Sequence, residues 1–502
     1  MFEAVGGAIL HVLQPEVLFA TAVGTIIGII IGALPGLTAT MGMALLAPFT
    51  FFLEPVVGIS MLIGLYKGGT FGGTISAVMI GTPGTASNAA TMLDGYAMAK
   101  RGEGSRALGC SLTGSVIGDF CGSICLVLGA PLLASIALKF GSPEFFALTV
   151  FAVTMVCYVS GHSLAKGLLA AGIGFGFALI GTDPIGGSPR LTFGIPDLSA
   201  GIGILPLAIG LFGFTEVLIQ LEGYSPTVDK PIRVMGFDIW QIARDIRQHL
   251  RTVIRSSLIG TLIGALPGIG AETSNWVAYG MAKRASKRPE TFGRGNIEGV
   301  IAPEVAANAV CGAAMVPMLI FGIPGDIVTA IMMGALIGQG LQPGPNLISE
   351  NPTIFYALFA NMFVSMLMLA FFGFFAIKLA GRILSVPRPI LFTSVAILCV
   401  AGTYAVSSSL FDVGVMMAFG FLGYAMRKLD IPIPPLVLAF ILSRLIEESF
   451  RRSLIQGDGT LWIFLQRPIA AGFLALTAIT LTGLLLQQWR AWRAGNGSVQ
   501  GS

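Results

Sequence analysis

The sequence predicts an all-α polytopic membrane protein of about 11–12 transmembrane segments, arranged as two inverted-topology repeats. Three observations lead to this fold class. Of the 502 residues, 54% are hydrophobic and 11% are charged, whereas soluble domains carry about 25% charged residues. The apolar runs have the length of membrane helices rather than of barrel strands. One glycine-proline motif also occurs twice, with opposite flanking charges. This composition excludes a soluble enzyme, a nucleic-acid-binding protein and a disordered chain.

Two Pro-Gly elements in the same order and at similar spacing define the repeat. Each copy contains GALPG followed by a second Pro-Gly: 32–36 with Pro83-Gly84, and 264–268 with Pro324-Gly325. A single Pro-Gly predicts only a turn, but a recurring pair predicts a duplicated unit. We therefore expect a first copy over 1–220, called copy one below, and a second over 253–488, called copy two.

Flanking charges predict how each GALPG segment enters the membrane. In copy two both flanks are basic, and Lys and Arg mark cytoplasmic loops. Only 27 residues separate Arg255 from Lys283, whereas two crossings need about 40. The segment 253–283 is therefore predicted to be a re-entrant hairpin open to the cytoplasm. The matching flanks of copy one contain acids and no base, so its hairpin, 17–52, is predicted to enter from the outside.

The remaining segments follow from hydropathy and from the same charge rule. We expect two discontinuous helices, 58–99 and 299–341, each broken at its second Pro-Gly. Other predicted segments are helices within 107–220, a cytoplasmic amphipathic linker at 221–252, helices within 354–446, an extra helix at 468–487 and a tail at 489–502. This count places the N-terminus in the periplasm and the C-terminus in the cytoplasm. It also places Arg451 and Arg452 outside, against the charge rule.

The four breaks predict a transport site, because bare backbone at membrane depth is tolerated only inside protein or beside a wet cavity. Half-helix N-termini favour anions, and unwound carbonyls can hold cations. Predicted substrate-binding residues in copy one are Pro35, Gly36, Thr38, Thr40, Lys67, Pro83, Gly84, Thr85, Ser87 and Asn88. Those in copy two are Gly268, Ser274, Asn275, Asn308, Pro324 and Gly325. Lys67 has two interpretations, attraction of an anion or pairing with an acid.

Acidic residues inside the membrane are costly and functional by default. Only copy two carries acids after its breaks, Glu272 and Asp326. We therefore expect copy one to contribute more to an anion and copy two more to a coupling Na⁺ or H⁺. Asp119, which is isolated in an apolar run, joins the predicted ion-coupling group. The structural alternative is that hydroxyls bond their own helices and acids cap helix starts. No metal site or other cofactor is expected.

Longer segments around these residues resemble the large membrane subunit of the tripartite tricarboxylate transporter family. The resemblance covers nearly the whole chain. Segments that carry it include GALPGLTATMGMALLAPFTF (32–51), GGTISAVMIGTPGTASNAATMLDGYAMAKRG (72–102), LPGIGAETSNWVAY (266–279) and FGRGNIEGVIAPEVAANAV (292–310). Together these segments are far more specific than any single Pro-Gly motif.

The resemblance implies a multi-pass protein of the bacterial inner membrane that imports a small carboxylate, of tricarboxylate or dicarboxylate type, by Na⁺ or H⁺ symport. It implies two partners besides the lipid bilayer, a small four-helix membrane subunit and a periplasmic solute-binding protein. The plan of hairpins and broken helices is also similar to that of elevator-type transporters, which is an analogy of fold only.

Other function classes are weighed against this interpretation. A membrane enzyme is not expected, because HExxH, GxSxG and P-loop motifs are absent from the sequence. A passive anion channel stays an alternative, since inverted broken-helix repeats also occur in channels. A secondary carrier that works without a binding protein is the other alternative. No nucleic-acid partner is expected.

Overall fold

The computed structural model describes residues 2–159, 163–222 and 238–497, and these residues are helical along most of their length. The prediction of an all-α polytopic protein is confirmed. The predicted linker at 221–252 and tail at 489–502 lie partly outside the described residues, at 223–237 and 498–502. Two compact units divide the chain: a larger unit of 1–135 and 203–425, and a smaller unit of 136–202 and 426–502.

The helices of copy one begin with those that carry its two breaks. They are α1 (Phe2–Val12), α2 (Pro15–Ala33), α3 (Ala39–Leu46), α4 (Pro55–Ile80) and α5 (Ala89–Lys100), with 3₁₀ turns at Ala47–Phe52 and Ala86–Asn88. Next come α6 (Gly104–Ala137), α7 (Ser142–Val159), α8 (Leu164–Ala178), the strands β1 (Gly181–Thr182) and β2 (Pro189–Arg190), a 3₁₀ turn at Pro196–Ala200, α9 (Ile204–Ala208) and α10 (Thr215–Glu222). A π-helical turn, Ile209–Phe214, joins α9 to α10. The strands pair antiparallel, with Gly181 opposite Arg190.

The described residues of the second half form helices and one 3₁₀ turn. Its helices are α11 (Ile239–Gln248), α12 (Leu250–Ala265), α13 (Gly270–Ala285), α14 (Glu298–Ala313), α15 (Met315–Phe321), α16 (Ile327–Gly338), α17 (Leu347–Glu350), α18 (Pro352–Ile383), α19 (Arg388–Ser407), α20 (Leu410–Lys428), α21 (Ile433–Gln456), α22 (Ile463–Gln466) and α23 (Pro468–Gly497), with a 3₁₀ turn at Pro289–Thr291.

Among the described residues, eight helices are long and apolar enough to cross a membrane: Pro15–Ala33, Gly104–Ala137, Ser142–Val159, Ile204–Glu222, Glu298–Phe321, Pro352–Ile383, Pro389–Ser407 and Leu410–Lys428. Four shorter apolar helices accompany them: Ala39–Phe52, Leu164–Ala178, Ile327–Gly338 and Pro468–Gly483. The most apolar window of Glu298–Phe321 is 94% buried, whereas those of Pro389–Ser407 and Leu410–Lys428 are 28% buried. Helix α14 therefore lies inside the protein, and α19 and α20 leave most of their apolar surface for lipid.

Backbone-to-backbone packing joins the first arm of each hairpin to the broken helix of the same copy. A Cβ atom on Gly24, Gly28 or Gly32 of α2 would lie 1.9–2.4 Å from a backbone carbonyl oxygen of α4. In copy two, a Cβ atom on Gly260 of α12 would lie 2.3 Å from the carbonyl oxygen of Ala306 on α14. Any larger side chain at these positions would separate the two helices, so close approach explains the glycine-rich arms.

Candidate functional site

The four breaks have the same backbone geometry at corresponding glycines. In the hairpins, α2 ends at Ala33 and α12 at Ala265, and the glycines that follow, Gly36 and Gly268, have φ of +89° and +84°. In the broken helices, Gly81 ends α4 and Gly322 ends α15, both with φ of +67°. Positive φ is readily accessible to glycine alone. In the broken helices a left-handed glycine is thus the cap of the helix itself, whereas at the hairpin tips the positive-φ glycine lies three residues after the helix end.

Within each copy the two breaks lie against each other. In copy two the N–H of Gly268 donates to the carbonyl oxygen of Gly325 at 2.8 Å. In copy one a Cβ atom on Gly84 would lie 1.9 Å from the carbonyl oxygen of Gly32. The Pro-Gly pairs at 83–84 and 324–325 are therefore packed onto the hairpin helices of their own copies, with Gly84, Pro324 and Gly325 buried.

The hydroxyl groups after the first hairpin tip belong mainly to helix caps and partly exposed surface. Thr38 is the N-cap of α3, and its Oγ1 accepts from the N–H of Met41 at 3.1 Å, as the structural alternative expects. Pro35, Gly36 and Thr40 are half-buried beside it. At the second break, Thr85 Oγ1 lies 2.8 Å from Ser87 Oγ and donates to Asn88 Oδ1.

Glu304, on the buried helix α14, lies where the two copies meet. Its Oε1 accepts from Thr91 Oγ1 at 2.7 Å and from Asn88 Nδ2 at 3.1 Å, and its Oε2 accepts from Ser115 Oγ at 3.2 Å. All four side chains are fully buried. Three donors from α5, α6 and the turn before α5 thus hold a carboxylate from the other copy. Each of the three donors is neutral.

The predicted amides Asn275 and Asn308 extend this network. Asn275 Oδ1 accepts from the N–H of Ala90 at 2.9 Å, and its Nδ2 lies 3.4 Å from Thr91 Oγ1. Asn308 Nδ2 donates to Ser115 Oγ at 2.9 Å and to the carbonyl oxygen of Glu304 at 3.0 Å. The structure therefore brings Asn88, Asn275 and Asn308 together around one carboxylate. Ser274 is fully buried next to Asn275, and no described residue bonds its hydroxyl.

Asp326 caps the helix that follows the last break. Its carboxylate accepts from the N–H of Thr329 at 2.8 Å, and Thr329 Oγ1 accepts from the N–H of Asp326 at 2.9 Å, which makes a capping box. The hydroxyl of Tyr66 on α4 also donates to this carboxylate. Asp326 is therefore held by groups from both copies, whereas Glu272 is exposed in the first turn of α13.

Lys67 and Asp119 form an ion pair in the interior. Lys67 Nζ lies 2.8 Å from Asp119 Oδ2, and both side chains are fully buried. The ammonium group also donates to the carbonyl oxygen of Met362 on α18. Of the two interpretations of Lys67, pairing with an acid is the one observed. Asp119 is isolated in the sequence but not in the folded protein.

Glu304, Tyr66, Thr91 and Ser115 are functional candidates that the sequence reasoning missed. Two signals could have found them. Glu304 is the one charged residue between 299 and 321, so the rule that selected Asp119 also selects it. On α6, hydroxyl and carboxyl groups recur every fourth residue at Ser111, Ser115, Asp119 and Ser123, which places them on one face of the helix.

In the smaller unit, a separate cluster of charges ties the loop after α8 to α21. Arg190 contacts Glu447 at 2.8 Å, and Arg451 contacts Asp183 at 2.9 Å and Glu447 at 3.0 Å. The N–H groups of Gly186 and Ile185, with Arg451, hold the pKa of Asp183 well below its ordinary value. Because Arg451 and Asp183 touch, they lie on the same side of the membrane. The predicted topology also puts both outside.

The starts of the four half-helices differ in charge, which sets what they can bind. The helices that follow the breaks of copy one, α3 and α5, have no acid in the first turn. Those of copy two carry Asp326 as the cap of α16 and Glu272 in the first turn of α13. Free N–H groups and the helix dipole favour an anion at α3, whereas α5 already has the Glu304 carboxylate beside its first turn, and the carboxylates of the second pair favour a cation.

Comparisons with known proteins agree on one family. A family model described as "Tripartite tricarboxylate transporter TctA family" matches residues 18–438. An uncharacterised 52.8 kDa protein from the TAR-I ttuC' 3' region of Agrobacterium vitis is 36% identical over 471 residues, which cover 94% of this chain and 93% of that protein. An uncharacterised protein from the TAR-II ttuC' 3' region of the same organism is 36% identical over 234 residues, 47% of this chain and 97% of that protein. No solved structure matches the chain.

Proposed function

The chain belongs to the tripartite tricarboxylate transporter TctA family, and from this premise we propose that it imports a small carboxylate by symport with H⁺ or Na⁺. Membership makes it the large subunit of a tripartite tricarboxylate transporter, and its apolar helices make it a multi-pass membrane protein. The proposal adds the direction of transport, the class of substrate, the driving ion and alternating access between the two sides.

One observation carries the proposal, namely the charge difference between the helix starts of the two copies. The N-terminus of α3 offers N–H groups and neutral hydroxyls and has no acid in its first turn, whereas the start of α5 already lies beside the Glu304 carboxylate. A carboxylate substrate is favoured at the start of α3, where Thr38 and Thr40 supply hydrogen bonds, and Thr85 and Ser87 lie at the second break of the same copy. Lys67 takes no part, because it is neutralised by Asp119.

The acids of copy two supply the cation side of the symport. Asp326 stands at the break of the second broken helix, and Glu272 follows the second hairpin tip. In each copy the break packs on the hairpin, so movement of one element carries the other with it. This coupling of two sites by a shared rigid element suits an inverted-repeat carrier of the elevator type.

The proposal includes the two partners and the membrane. The protein resides in the bacterial inner membrane with its N-terminus in the periplasm and its C-terminus in the cytoplasm. A periplasmic solute-binding protein delivers the substrate, and a small four-helix membrane subunit completes the complex. Family membership and the placement of Lys and Arg support these assignments.

The test is uptake into proteoliposomes that hold this chain and its small membrane subunit, with the binding protein outside and radiolabelled citrate as the first probe. Citrate is expected to accumulate above its outside concentration only when the binding protein and an inward gradient of H⁺ or Na⁺ are both present, and a matching ionophore should abolish this accumulation. Flux that stops at equal concentrations would indicate a passive channel. Accumulation without the binding protein would indicate an independent carrier. Either result contradicts the proposal.

A further inference from the structure

Three helices bring polar faces together around Glu304. The residues recur at intervals of three or four along each helix, as required for one face: Tyr66, Thr70 and Thr74 on α4, Ser111, Ser115 and Asp119 on α6, and Glu304, Asn308 and Cys311 on α14. Each of these side chains is at most 2% exposed. The three faces form a buried polar seam, a name kept below for these nine residues.

Glu304 is the carboxylate of this seam whose charge is unopposed. Its contacts among the described residues are neutral groups, those of Thr91, Asn88 and Ser115 together with the nearby hydroxyls of Thr74 and Ser111, and no described Lys, Arg or His side chain pairs with it. A buried carboxylate that has hydrogen bonds but no counter-charge is costly. Asp119 on α6 is the contrasting case, because Lys67 neutralises its charge.

The charged groups near Glu304, on α14 and on the helices packed against it, do not supply the missing counter-charge. Asp94 on α5 is held by Tyr279 on α13 at 2.9 Å and by the N–H groups of Gly295 and Asn296, and Glu298 on α14 pairs with His249. The remaining charged groups on α5, α6, α12 and α13 are exposed or half-buried: Lys100, Arg106, Arg251, Arg255, Glu272, Lys283 and Arg284. Two neutral titratable groups complete the set: Tyr66 donates to Asp326, and Cys311 contacts Thr70.

A second, independent observation lies one helical turn away. The amide of Asn308 uses its nitrogen to bond Ser115 and the carbonyl oxygen of Glu304. Its oxygen, Oδ1, is buried and receives no hydrogen bond from any described residue. Ser115 thus accepts from the amide nitrogen of Asn308 and donates to the Glu304 carboxylate, and the amide oxygen is left without a donor beside them. The amide oxygen lacks a hydrogen-bond donor and the carboxylate lacks a counter-charge, and an additional proton at this point of the seam addresses both needs.

We propose that Glu304 binds the coupling proton, an inference that rests on the symport proposed above. In the step, a proton from the aqueous phase on one side joins the Glu304 carboxylate to give a neutral carboxylic acid, and it leaves to water on the other side. No other bond forms or breaks. The hydroxyls of Thr91 and Ser115, which donate to the carboxylate, can rotate to accept from the acid.

The packing favours a proton over a sodium ion as the occupant. The carboxylate oxygens already have donors at 2.7, 3.1 and 3.2 Å, so a proton requires only rotated hydroxyls. Sodium would need oxygen ligands in place of the Asn88 amide nitrogen. Asn88 follows the break at 83–84 and bonds Glu304 directly, and Asn275 follows the hairpin tip at 267–268 and contacts Glu304 through Thr91. A change in the charge of Glu304 therefore alters hydrogen bonds of residues beside one break of each copy.

A spectroscopic test needs no substrate. Infrared difference spectra of the purified protein, recorded across the pH range in which it stays folded, report the C=O stretch of protonated carboxyl groups. We expect a buried-carboxyl band that weakens as the pH rises, loses intensity in Glu304→Gln and is unchanged in Glu350→Gln, a matched change at an exposed acid. A band of unchanged intensity in Glu304→Gln, or no such band in the wild type, would overturn the inference.

The functional test measures uptake of radiolabelled citrate into proteoliposomes that contain the protein with both partners. Glu304→Gln is expected to lose accumulation driven by a pH gradient but to keep exchange of external for internal citrate. The reason is that glutamine resembles the protonated carboxyl group but cannot bind or release the coupling proton. Glu304→Asp, which restores the acid, should recover part of the accumulation. Unaltered size-exclusion profiles and melting temperatures establish that each variant is folded.

The two possible failures can be told apart. If the wild type accumulates nothing under any gradient, the proposed symport fails. If the wild type responds to a pH gradient and Glu304→Gln responds equally, only the role of Glu304 fails. A response to Na⁺ but not to pH, lost in Glu304→Gln, would replace the proton by sodium and also overturn the inference as stated.

Discussion

Replacing Asp119 by asparagine is expected to lower the free energy of unfolding by about 3–5 kcal/mol, the cost of breaking a buried ion pair from one side. Lys67 Nζ and Asp119 Oδ2 are 2.8 Å apart, and neither side chain is exposed. At an effective dielectric constant of about 20, this distance corresponds to about 6 kcal/mol of gross attraction. Asparagine has nearly the same shape, so the loss reports charge rather than a cavity.

A double substitution separates the pair from its surroundings. Lys67→Met with Asp119→Leu removes both charges and fills the space with apolar groups, so most of the stability lost by either single variant should return. Lys67→Met alone should cost about as much as Asp119→Asn, since it leaves a carboxylate buried without a partner. The measurement is a denaturant titration of the purified protein in detergent, followed by tryptophan fluorescence.

Asp430→Asn is the matched control, because it makes the same chemical change at an exposed loop residue with φ of +53°, a conformation that asparagine tolerates. It should change the free energy of unfolding by less than about 0.5 kcal/mol. The reasoning would be refuted if Asp119→Asn were as mild as this control. It would also be refuted if the losses of the two single variants simply added in the double variant.

Two further predictions concern packing and pH. Gly84→Ala should reduce stability by about 1–3 kcal/mol or more, because its Cβ would lie 1.9 Å from a hairpin carbonyl oxygen, whereas Gly172→Ala meets open space and should leave the melting temperature nearly unchanged. The lowered pKa of Asp183 means that its stabilisation is complete above its ordinary pKa of about 4 and is lost as the pH falls through its folded value. Arg451→Ala should therefore lower the melting temperature at neutral pH but not in strong acid. Arg452→Ala should have a smaller effect, because its guanidinium is largely exposed.

The helix breaks could be predicted because their cause is local. Proline removes a backbone donor and glycine permits positive φ, so GALPG at 32–36 and 264–268 predicts a helix end whatever surrounds it. The ends at Ala33 and Ala265 lie where the motif predicts them. The cap formed by Asp326 is also local, since its partner is three residues away.

The polar partners could not be predicted, because they come from distant parts of the chain. Asn88 and Glu304 are 216 positions apart, and nothing in either local sequence indicates the other. Lys67 likewise allowed two interpretations until packing placed Asp119 beside it. The π-helical turn at Ile209–Phe214 has no recognisable local sequence signal.

Arg451 illustrates why a charge count alone misleads. The topology rule treats each basic residue as a free charge, but Arg451 contacts Asp183 and Glu447. A neutralised arginine contributes little to orientation, so its predicted place outside needs no exception to the rule. Inversion of the two copies stays a prediction from the placement of Lys and Arg in the flanking segments.

The buried polar contacts have an order in time as well as in space. A chain is synthesised from its N-terminus, and early segments begin to fold first. Asn88, Thr91 and Ser115 precede Glu304, Lys67 precedes Asp119, and Tyr66 precedes Asp326. Each acid therefore leaves the ribosome after the groups that will hold it. The partner groups of copy one are therefore synthesised before the acids that bind them, so none of these acids enters the membrane before its partner exists.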